Sequence, residues 1–326
     1  MVQDLTSWTN LTLMEFLKYH LTPTVTNNSI SIADHLGGFD SKYFSPVLNN
    51  TVLYAKKINI TNIRTSYIFD SKIQKQYPDI TFCYDQSLIG GRGWETLSGY
   101  KIHPELNYKN FICSFNGSSH VSRKLLVAIL QKFEWFNPEY CSKNFVYTSE
   151  ILDGHINDYV KNQNNFYNKF FIEDAGENFC QTINSFGHIR FDHIKNIYNL
   201  EKKITQSFLH IVSETMATSY YPWITEKLLY SIVTRGLFLS YAAPGWHAHF
   251  EKYYGFKLYH KLFDYRFDSI QNPVERLVEL MTMISKFSKL SAADWRDLYL
   301  LEQDTIEYNY SHYYSQDYLK KIKHNE

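Results

Sequence analysis

The chain has 326 residues, and 44% of them are apolar. This length exceeds the usual size of a domain with one hydrophobic core, so two domains are expected. It carries 33 basic and 33 acidic residues, and this balance argues against nucleic acid as the main partner, because phosphate binding normally requires a basic surplus. Four cysteines without a C-x-x-C pair argue against a disulfide scaffold.

The N-terminal residues lack both a basic segment and an uninterrupted apolar segment, so we expect no secretory signal. No stretch approaches the roughly 20 apolar residues that a membrane-spanning helix needs. These features predict a cytoplasmic protein without a transmembrane segment, although peripheral membrane contact stays open.

The first hundred residues give mixed patterns. Residues 60–77, "ITNIRTSYIFDSKIQKQY", are typical of a helix with an apolar stripe. Residues 79–88, "DITFCYDQSL", predict a short buried strand that runs into a loop. The glycines of "GGRG", residues 90–93, then interrupt any regular element.

Strands and helices alternate from residue 109 onward. The strands are predicted in "KNFICSFN", "FLHIV" and "GLFLSY", and the helices in "RKLLVAILQKF", "TEKLLYSIVTR", "NPVERLVELMTMISKF" and one or two segments after residue 292. A short helix is also predicted in "HAHFEKYYG", with Gly255 as its C-cap. In the first helix we expect one apolar face formed by Leu125, Leu126, Ile129, Leu130 and Phe133. This alternation predicts an α/β fold with a parallel sheet, divided into domains 1–108 and 109–326. Residues 137–200 show no clear pattern.

Lys227 occupies an unusual position for a cation. Thr225 is a plausible N-cap, which puts Glu226 and Lys227 in the first helical turn, where the helix dipole disfavours positive charge. A bound anion would reverse that penalty, because helix N-termini bind phosphates. The alternative is a solvated lysine whose stem packs on Trp223.

Arg123 opens a helix in the same way, after the strand and polar loop of "FICSFNGSSHVSRK". Its planar fork suits a diphosphate, and the alternative is an exposed arginine at a helix end. Because both loops would follow strand carboxyl ends, the two cations would lie on the same rim of the sheet.

These two segments resemble the donor-binding motifs of the α-1,3-fucosyltransferases of glycosyltransferase family 10. "FLHIVSET" and "ITEKLLYSI" are similar to their Phe-Glu-Asn-Ser and Tyr-(Val/Ile)-Thr-Glu-Lys segments, through Glu214, Thr225, Glu226 and Lys227. "FNGSSHVSRKLL" is similar to their Ser-Asn-loop-Arg segment, through Asn116 and Arg123.

Residues 236–270, "GLFLSYAAPGWHAHFEKYYGFKLYHKLFDYRFDSI", extend the likeness to glycosyltransferase-like proteins of phages and large viruses. The resemblance covers residues 109–285 and is dense from 208 to 270. If the protein is viral, the predicted cytoplasmic location is the cytoplasm of a host cell.

The resemblance implies a GT-B fold, in which two Rossmann-like domains face a cleft and the C-terminal domain holds a nucleotide-sugar. The helical spacing of the Tyr-rich tail "EYNYSHYYSQDYL" predicts a last helix that packs back across the domains. The resemblance also implies an inverting transferase with a GDP-fucose-like donor as substrate, a glycan or other hydroxyl acceptor, and no cofactor. The absence of a D-x-D motif predicts that the transferase is metal-independent. Arg123 and Lys227 would bind the diphosphate, while Glu226, with Glu214 as the second candidate, would contact the ribose or the sugar.

An inverting reaction also needs a carboxylate base in the N-terminal domain. Asp85 follows a predicted strand and Glu95 follows the glycine-rich turn, and we favour Asp85 over Glu95. A solvated loop acid is the alternative for each.

Other chemistries lack their motifs. The sequence contains no D-x-D, no P-loop and no G-x-S-x-G elbow, and the H-x-H of His247 and His249 is more typical of surface histidines than of a metal site. The alternative function is a non-catalytic virion or scaffold protein with a degenerate glycosyltransferase fold.

Overall fold

The structure is a computed structural model. It describes residues 24–26, 29–32, 49, 51–65, 71–84, 97, 100, 101, 106–116, 121–143, 193–214 and 225–315. Over these residues the protein is a mixed α/β chain with two four-stranded sheets.

The first sheet lies in the N-terminal third of the chain. Its strands are β1 (Thr24–Thr26), β2 (Ser29–Ile32), β3 (Asn62–Thr65) and β4 (Thr81–Tyr84), in the order β1-β2-β3-β4. β1 and β2 pair antiparallel, whereas β2, β3 and β4 pair parallel. Helix α1 (51–57) connects β2 to β3, and α2 (Ser71–Gln76) connects β3 to β4. These are the helical crossovers that parallel strands require.

The second sheet is entirely parallel. It comprises β5 (Asn110–Asn116), β6 (Cys141–Lys143), β7 (Ser207–Ser213) and β8 (Phe238–Tyr241), in the order β6-β5-β7-β8. Its connecting helices are α3 (Val121–Lys132), α4 (His193–Thr205) and α5 (Glu226–Val233). Every residue of β7 is buried, as expected for a strand covered on both faces.

The chain continues beyond β8 into a helical region. Its elements are α6 (Trp246–His249), a π-helical turn (Phe250–Tyr254), a 3-10 turn (Tyr265–Ser269), α7 (Pro273–Ser285), α8 (Ala292–Leu301) and α9 (Gln303–Ser315). Gly255 ends the π-helical turn with φ of 76°, which confirms the predicted glycine C-cap. Asn272 caps α7, with proline in its first turn, and Ser291 caps α8 through a capping box.

Aromatic rings join the last helices to the second sheet. Phe208 of β7 stacks on Phe111 of β5 and on Trp295 of α8, with ring centroids 6.3 and 5.9 Å apart. Each such contact stabilises the fold by about 0.5–1.5 kcal/mol beyond the area it buries. The indole N–H of Trp295 donates to the carbonyl oxygen of Phe287 at 2.8 Å.

The last helix packs on the same core. Asn309 of α9 pairs with both backbone groups of Lys257, since its Oδ1 accepts from the N–H at 2.8 Å and its Nδ2 donates to the carbonyl at 2.9 Å. Tyr314 donates a hydrogen bond to the carbonyl oxygen of Tyr100, and Leu97 and Tyr100 lie in the core that contains β5. The domain boundary at residue 108 stays a prediction.

The structure corrects two expectations and defines elements in one segment that had none. Residues 60–77 do not form one helix, because β3 occupies Asn62–Thr65 and α2 begins only at Ser71. Phe133 is exposed, since α3 ends at Lys132 and the ring stacks instead on Trp135, with centroids 4.6 Å apart. Within residues 137–200, which show no clear sequence pattern, the chain forms β6 and the start of α4.

Candidate functional site at the strand ends of the second sheet

The order of the second sheet defines a switch point between β5 and β7. The chain leaves β5 for β6 on one side and returns to β7 on the other. The ends of the four strands lie level. Asn116 pairs with Lys143 and Ser213 pairs with Tyr241, while β5 and β7 are in register through Cys113 and His210, each three residues before its strand end. Open parallel sheets bind ligands in the crevice outside the carboxyl ends of their strands at such a point.

Asn116 is the last residue of β5 and is completely buried. Its Nδ2 donates to the Oγ of Ser114 and to the carbonyl oxygen of Ser142, each at 3.2 Å. Its backbone N–H donates to the Oγ of Ser142 at 2.9 Å. The side chain thus joins β5 to β6, while its Oδ1 makes no hydrogen bond with any described residue.

Arg123 lies in the first turn of α3, directly beyond the strand end, and is only 3% exposed. The alternative of an exposed arginine at a helix end is therefore wrong. Burying a guanidinium is costly unless charged or polar groups compensate for the lost water. Arg123 is thus a buried cation beside the switch point, the position at which open parallel sheets bind their ligands.

Glu214 directly follows β7 and is completely buried. Its backbone N–H donates to the carbonyl oxygen of Tyr241 at 3.1 Å, which continues the ladder to β8. Its Oε1 accepts the backbone N–H of Thr225 at 3.2 Å. This hydrogen bond joins the end of β7 to the start of α5, and the residues between them, 215–224, lie outside the described part of the chain.

Thr225 caps α5, as predicted. Its Oγ1 accepts the backbone N–H of Lys227 at 3.4 Å, and the Nζ of Lys227 donates to the same oxygen at 3.3 Å. The half-buried ammonium therefore lies at the positive end of α5, where the helix dipole opposes it. Trp223 lies outside the described residues, so the packing of the lysine stem on that ring stays untested.

The remaining predicted residues are not placed. α5 begins at Glu226, but the structure does not describe the side chain of Glu226. Asp85 and Glu95 both fall on residues that the structure does not describe. The structure thus brings Asn116, Arg123, Glu214, Thr225 and Lys227 to neighbouring strand ends, and it leaves the base untested.

Sequence reasoning missed a buried pair beside β8. His247 is 1% exposed, which contradicts its interpretation as a surface histidine. Asp268 accepts the backbone N–H groups of His247 and Ala248 at 3.1 and 3.2 Å. Burial by itself would raise the pKa of Asp268, but the hydrogen bonds from the side chain and backbone of His247 outweigh it and hold the pKa below its usual value.

Arg276 fixes the other side of the loop that follows β8. This residue of α7 is 1% exposed, and its guanidinium donates to the carbonyl oxygens of Ala242, Ile270 and Gln271. An arginine inside a helix gives no sequence signal for this role, because its acceptors are backbone groups, the farthest 34 residues away.

Two searches within the described part of the chain gave negative results. No group of three or more histidine, cysteine, aspartate or glutamate residues there could hold a metal ion. In the same residues, no helix has both the length and the apolar character needed to cross a bilayer.

No protein-family model matches the sequence, and neither the curated proteins nor the solved structures gave a significant match.

Proposed function

We propose that the protein is a glycosyltransferase that moves a sugar from a nucleotide-sugar donor to a hydroxyl group of a glycan or another acceptor. One observation carries the proposal. The strand ends at the switch point of the second sheet bring together a buried arginine, a buried carboxylate and a lysine at a helix N-terminus, through Arg123, Glu214 and Lys227. This crevice is where parallel sheets bind nucleotides.

Two cations supply the charge for the diphosphate. Arg123 offers a planar fork from the start of α3, and Lys227 offers an ammonium beside Thr225 at the start of α5. The Oδ1 of Asn116 makes no hydrogen bond with any described residue. It could accept a hydrogen bond from a hydroxyl group of the nucleotide-sugar. Glu226 would contact the ribose or the sugar.

The proposal includes the two-domain GT-B arrangement. Residues 109–326 would bind the donor, and residues 1–108 would bind the acceptor. Two separate four-stranded sheets, one in each of these ranges, support this division. The acceptor hydroxyl would lose its proton to Asp85, with Glu95 as the second candidate, and would attack with inversion.

We favour a GDP-fucose-like donor on the resemblance of residues 208–230 to the fucosyltransferase motif. The two cations would stabilise the diphosphate as it leaves, so no metal ion would be required.

A thermal-shift screen of the whole chain with GDP, UDP, CMP and dTDP tests the proposal. A nucleotide present at 100 times its dissociation constant stabilises the folded state by about 2.7 kcal/mol, which raises the melting temperature by several degrees. We expect GDP to give the largest rise. Stabilisation by UDP alone would show that the donor is a UDP-sugar instead of a GDP-sugar. No stabilisation by any of the four nucleotides would favour a non-catalytic protein.

A further inference from the structure

Glu214 lies where two elements of the candidate site meet. Its main chain belongs to the β7–β8 ladder, through the hydrogen bond to Tyr241. Its side chain reaches in the other direction, to the N–H of Thr225 at the start of α5. One residue thus connects the central sheet to the helix that carries Lys227.

The carboxylate of Glu214 is buried beside the N-terminus of α5, an environment that favours a structural contact. Glu214 is 0% exposed, so its charge has no direct access to water and needs compensation from protein groups. The N-terminus of α5 supplies such compensation, because the helix dipole and the backbone N–H groups there favour an anion. The carboxylate lies against this helix end while remaining attached to the rigid strand.

A chain of contacts leads from this carboxylate to the lysine. Glu214 binds the N–H of Thr225, and the Oγ1 of Thr225 accepts from both the N–H and the Nζ of Lys227. The position of the ammonium therefore depends on where Thr225 is held. A shift of about 1 Å in such a group can cost as much as about 100-fold in function.

We infer that Glu214 is a positioning residue, which fixes the N-cap Thr225 and thereby holds the ammonium of Lys227 where a diphosphate docks, instead of contacting the donor itself. The identity of the ligand rests on the proposed function. The contact itself requires an acceptor oxygen at the correct reach, and the negative charge only strengthens the hydrogen bond that this reach makes possible.

Two substitutions separate reach from charge. Glu214→Gln keeps the length of the side chain and an acceptor oxygen but removes the charge, whereas Glu214→Asp keeps the charge and shortens the side chain by one methylene. Calorimetric titration with GDP should show about tenfold weaker binding for Glu214→Asp and an affinity restored nearly to wild type for Glu214→Gln. The reverse order would mean that the carboxylate acts by its charge, and it would overturn the inference.

Coupling to Lys227 supplies a second criterion. If Glu214 acts through the lysine, the double variant Glu214→Asp/Lys227→Ala should bind GDP no more weakly than Lys227→Ala alone. Additive losses would show an independent contact with the nucleotide and would contradict the positioning role.

Amide hydrogen exchange at Thr225 tests the contact without any nucleotide. Exchange should accelerate in Glu214→Asp and stay close to the wild-type rate in Glu214→Gln. Equal exchange in all three proteins would overturn the inference even if GDP binds. Absence of GDP binding by the wild type, with the expected exchange pattern, would instead overturn the proposed ligand and support Glu214 as the residue that fixes Thr225.

Discussion

The imidazole of His247 donates its Nδ1–H to the carboxylate of Asp268 across 2.8 Å, and its Nε2 accepts the backbone N–H of Ser240 at 3.2 Å. The acceptor role of Nε2 assigns the remaining proton of the neutral ring to Nδ1. Since Ser240 lies in β8 and Asp268 lies in the 3-10 turn, the ring joins the last strand of the sheet to the helical region that follows.

We expect Asp268→Asn to reduce the free energy of unfolding at pH 7 by about 1.5–3 kcal/mol, since it removes charge-assisted hydrogen bonds and turns an NH₂ group toward backbone donors. The pKa of Asp268 is lower in the folded protein than its ordinary value of 3.8. Its contribution is therefore fully present above about pH 3.8 and is lost as the pH falls through the folded pKa. Urea unfolding at pH 7 and pH 3 measures both effects.

Asp264→Asn is the matched control for that measurement. Asp264 caps the same 3-10 turn through the N–H of Arg266 at 3.0 Å, but it is exposed to solvent. Because asparagine is an equally good N-cap, the control should change the stability by less than about 0.5 kcal/mol. Equal losses for the two variants would contradict a special role for the buried pair.

Lys227→Ala should weaken the binding of a nucleoside diphosphate about 10- to 150-fold, because a charge-assisted contact contributes roughly 1.5–3 kcal/mol. Stability should change little or rise slightly, since a cation is removed from a helix N-terminus. Titration calorimetry compares the variant with Lys202→Ala, which removes an exposed lysine from the last turn of α4. Equal dissociation constants in wild type and Lys227→Ala would identify Lys227 as a surface lysine without a role in binding.

Transferase activity should survive EDTA. The sequence contains no D-x-D motif for a metal-bound diphosphate, and Arg123 and Lys227 would supply positive charge in its place. The measurement is turnover with and without the chelator. Complete loss in EDTA, followed by recovery with Mn²⁺ or Mg²⁺, would establish a metal requirement.

Asp85→Asn should leave nucleotide binding intact and lower turnover about 10²- to 10⁴-fold, the usual contribution of a general base. Glu95→Gln serves as the comparison, because it removes the charge of the second candidate. Steady-state rates of the two variants decide between them. An active Asp85→Asn beside an inactive Glu95→Gln would reverse the assignment.

Periodicity predicted much of the second sheet and its helices. Continuous apolar residues gave β5, β7 and β8, and local capping signals gave Thr225 and Gly255 correctly. These features depend on residues within one turn or one strand, so a single sequence contains them.

Features that depend on distant partners were missed or misjudged. The sequence predicts a helix where β3 lies, because the i, i+3 spacing of Ile60 and Ile63 is typical of a helix, and only pairing with β2 and β4 makes Asn62–Thr65 a strand. β6 has three residues, too few to show alternation. The amphipathic helix α4 did carry a signal, since Ile197, Leu200 and Ile204 are spaced for one buried face.

In the candidate site, too, local features were predicted and features that depend on distant partners were not. The sequence indicates which strand ends carry polar residues, but only the structure shows that β5 and β7 are neighbours in the sheet. It did not indicate that Arg123 and His247 are buried, because burial of a polar side chain depends on partners elsewhere in the chain. The partner of His247, for example, lies 21 residues away.

The sheet order also has a consequence for synthesis on the ribosome. Ser114 of β5 and its hydrogen-bond acceptor Ile211 of β7 are 97 residues apart, whereas Asn116 bonds to Ser142 over 26 residues. At a translation rate of roughly 5–20 residues per second, β7 is synthesised about 5–20 s after β5. One edge of β5 stays unpaired during this interval, and an apolar strand edge is a template for aggregation. The nascent chain should therefore depend most on chaperones between the synthesis of β6 and that of β7.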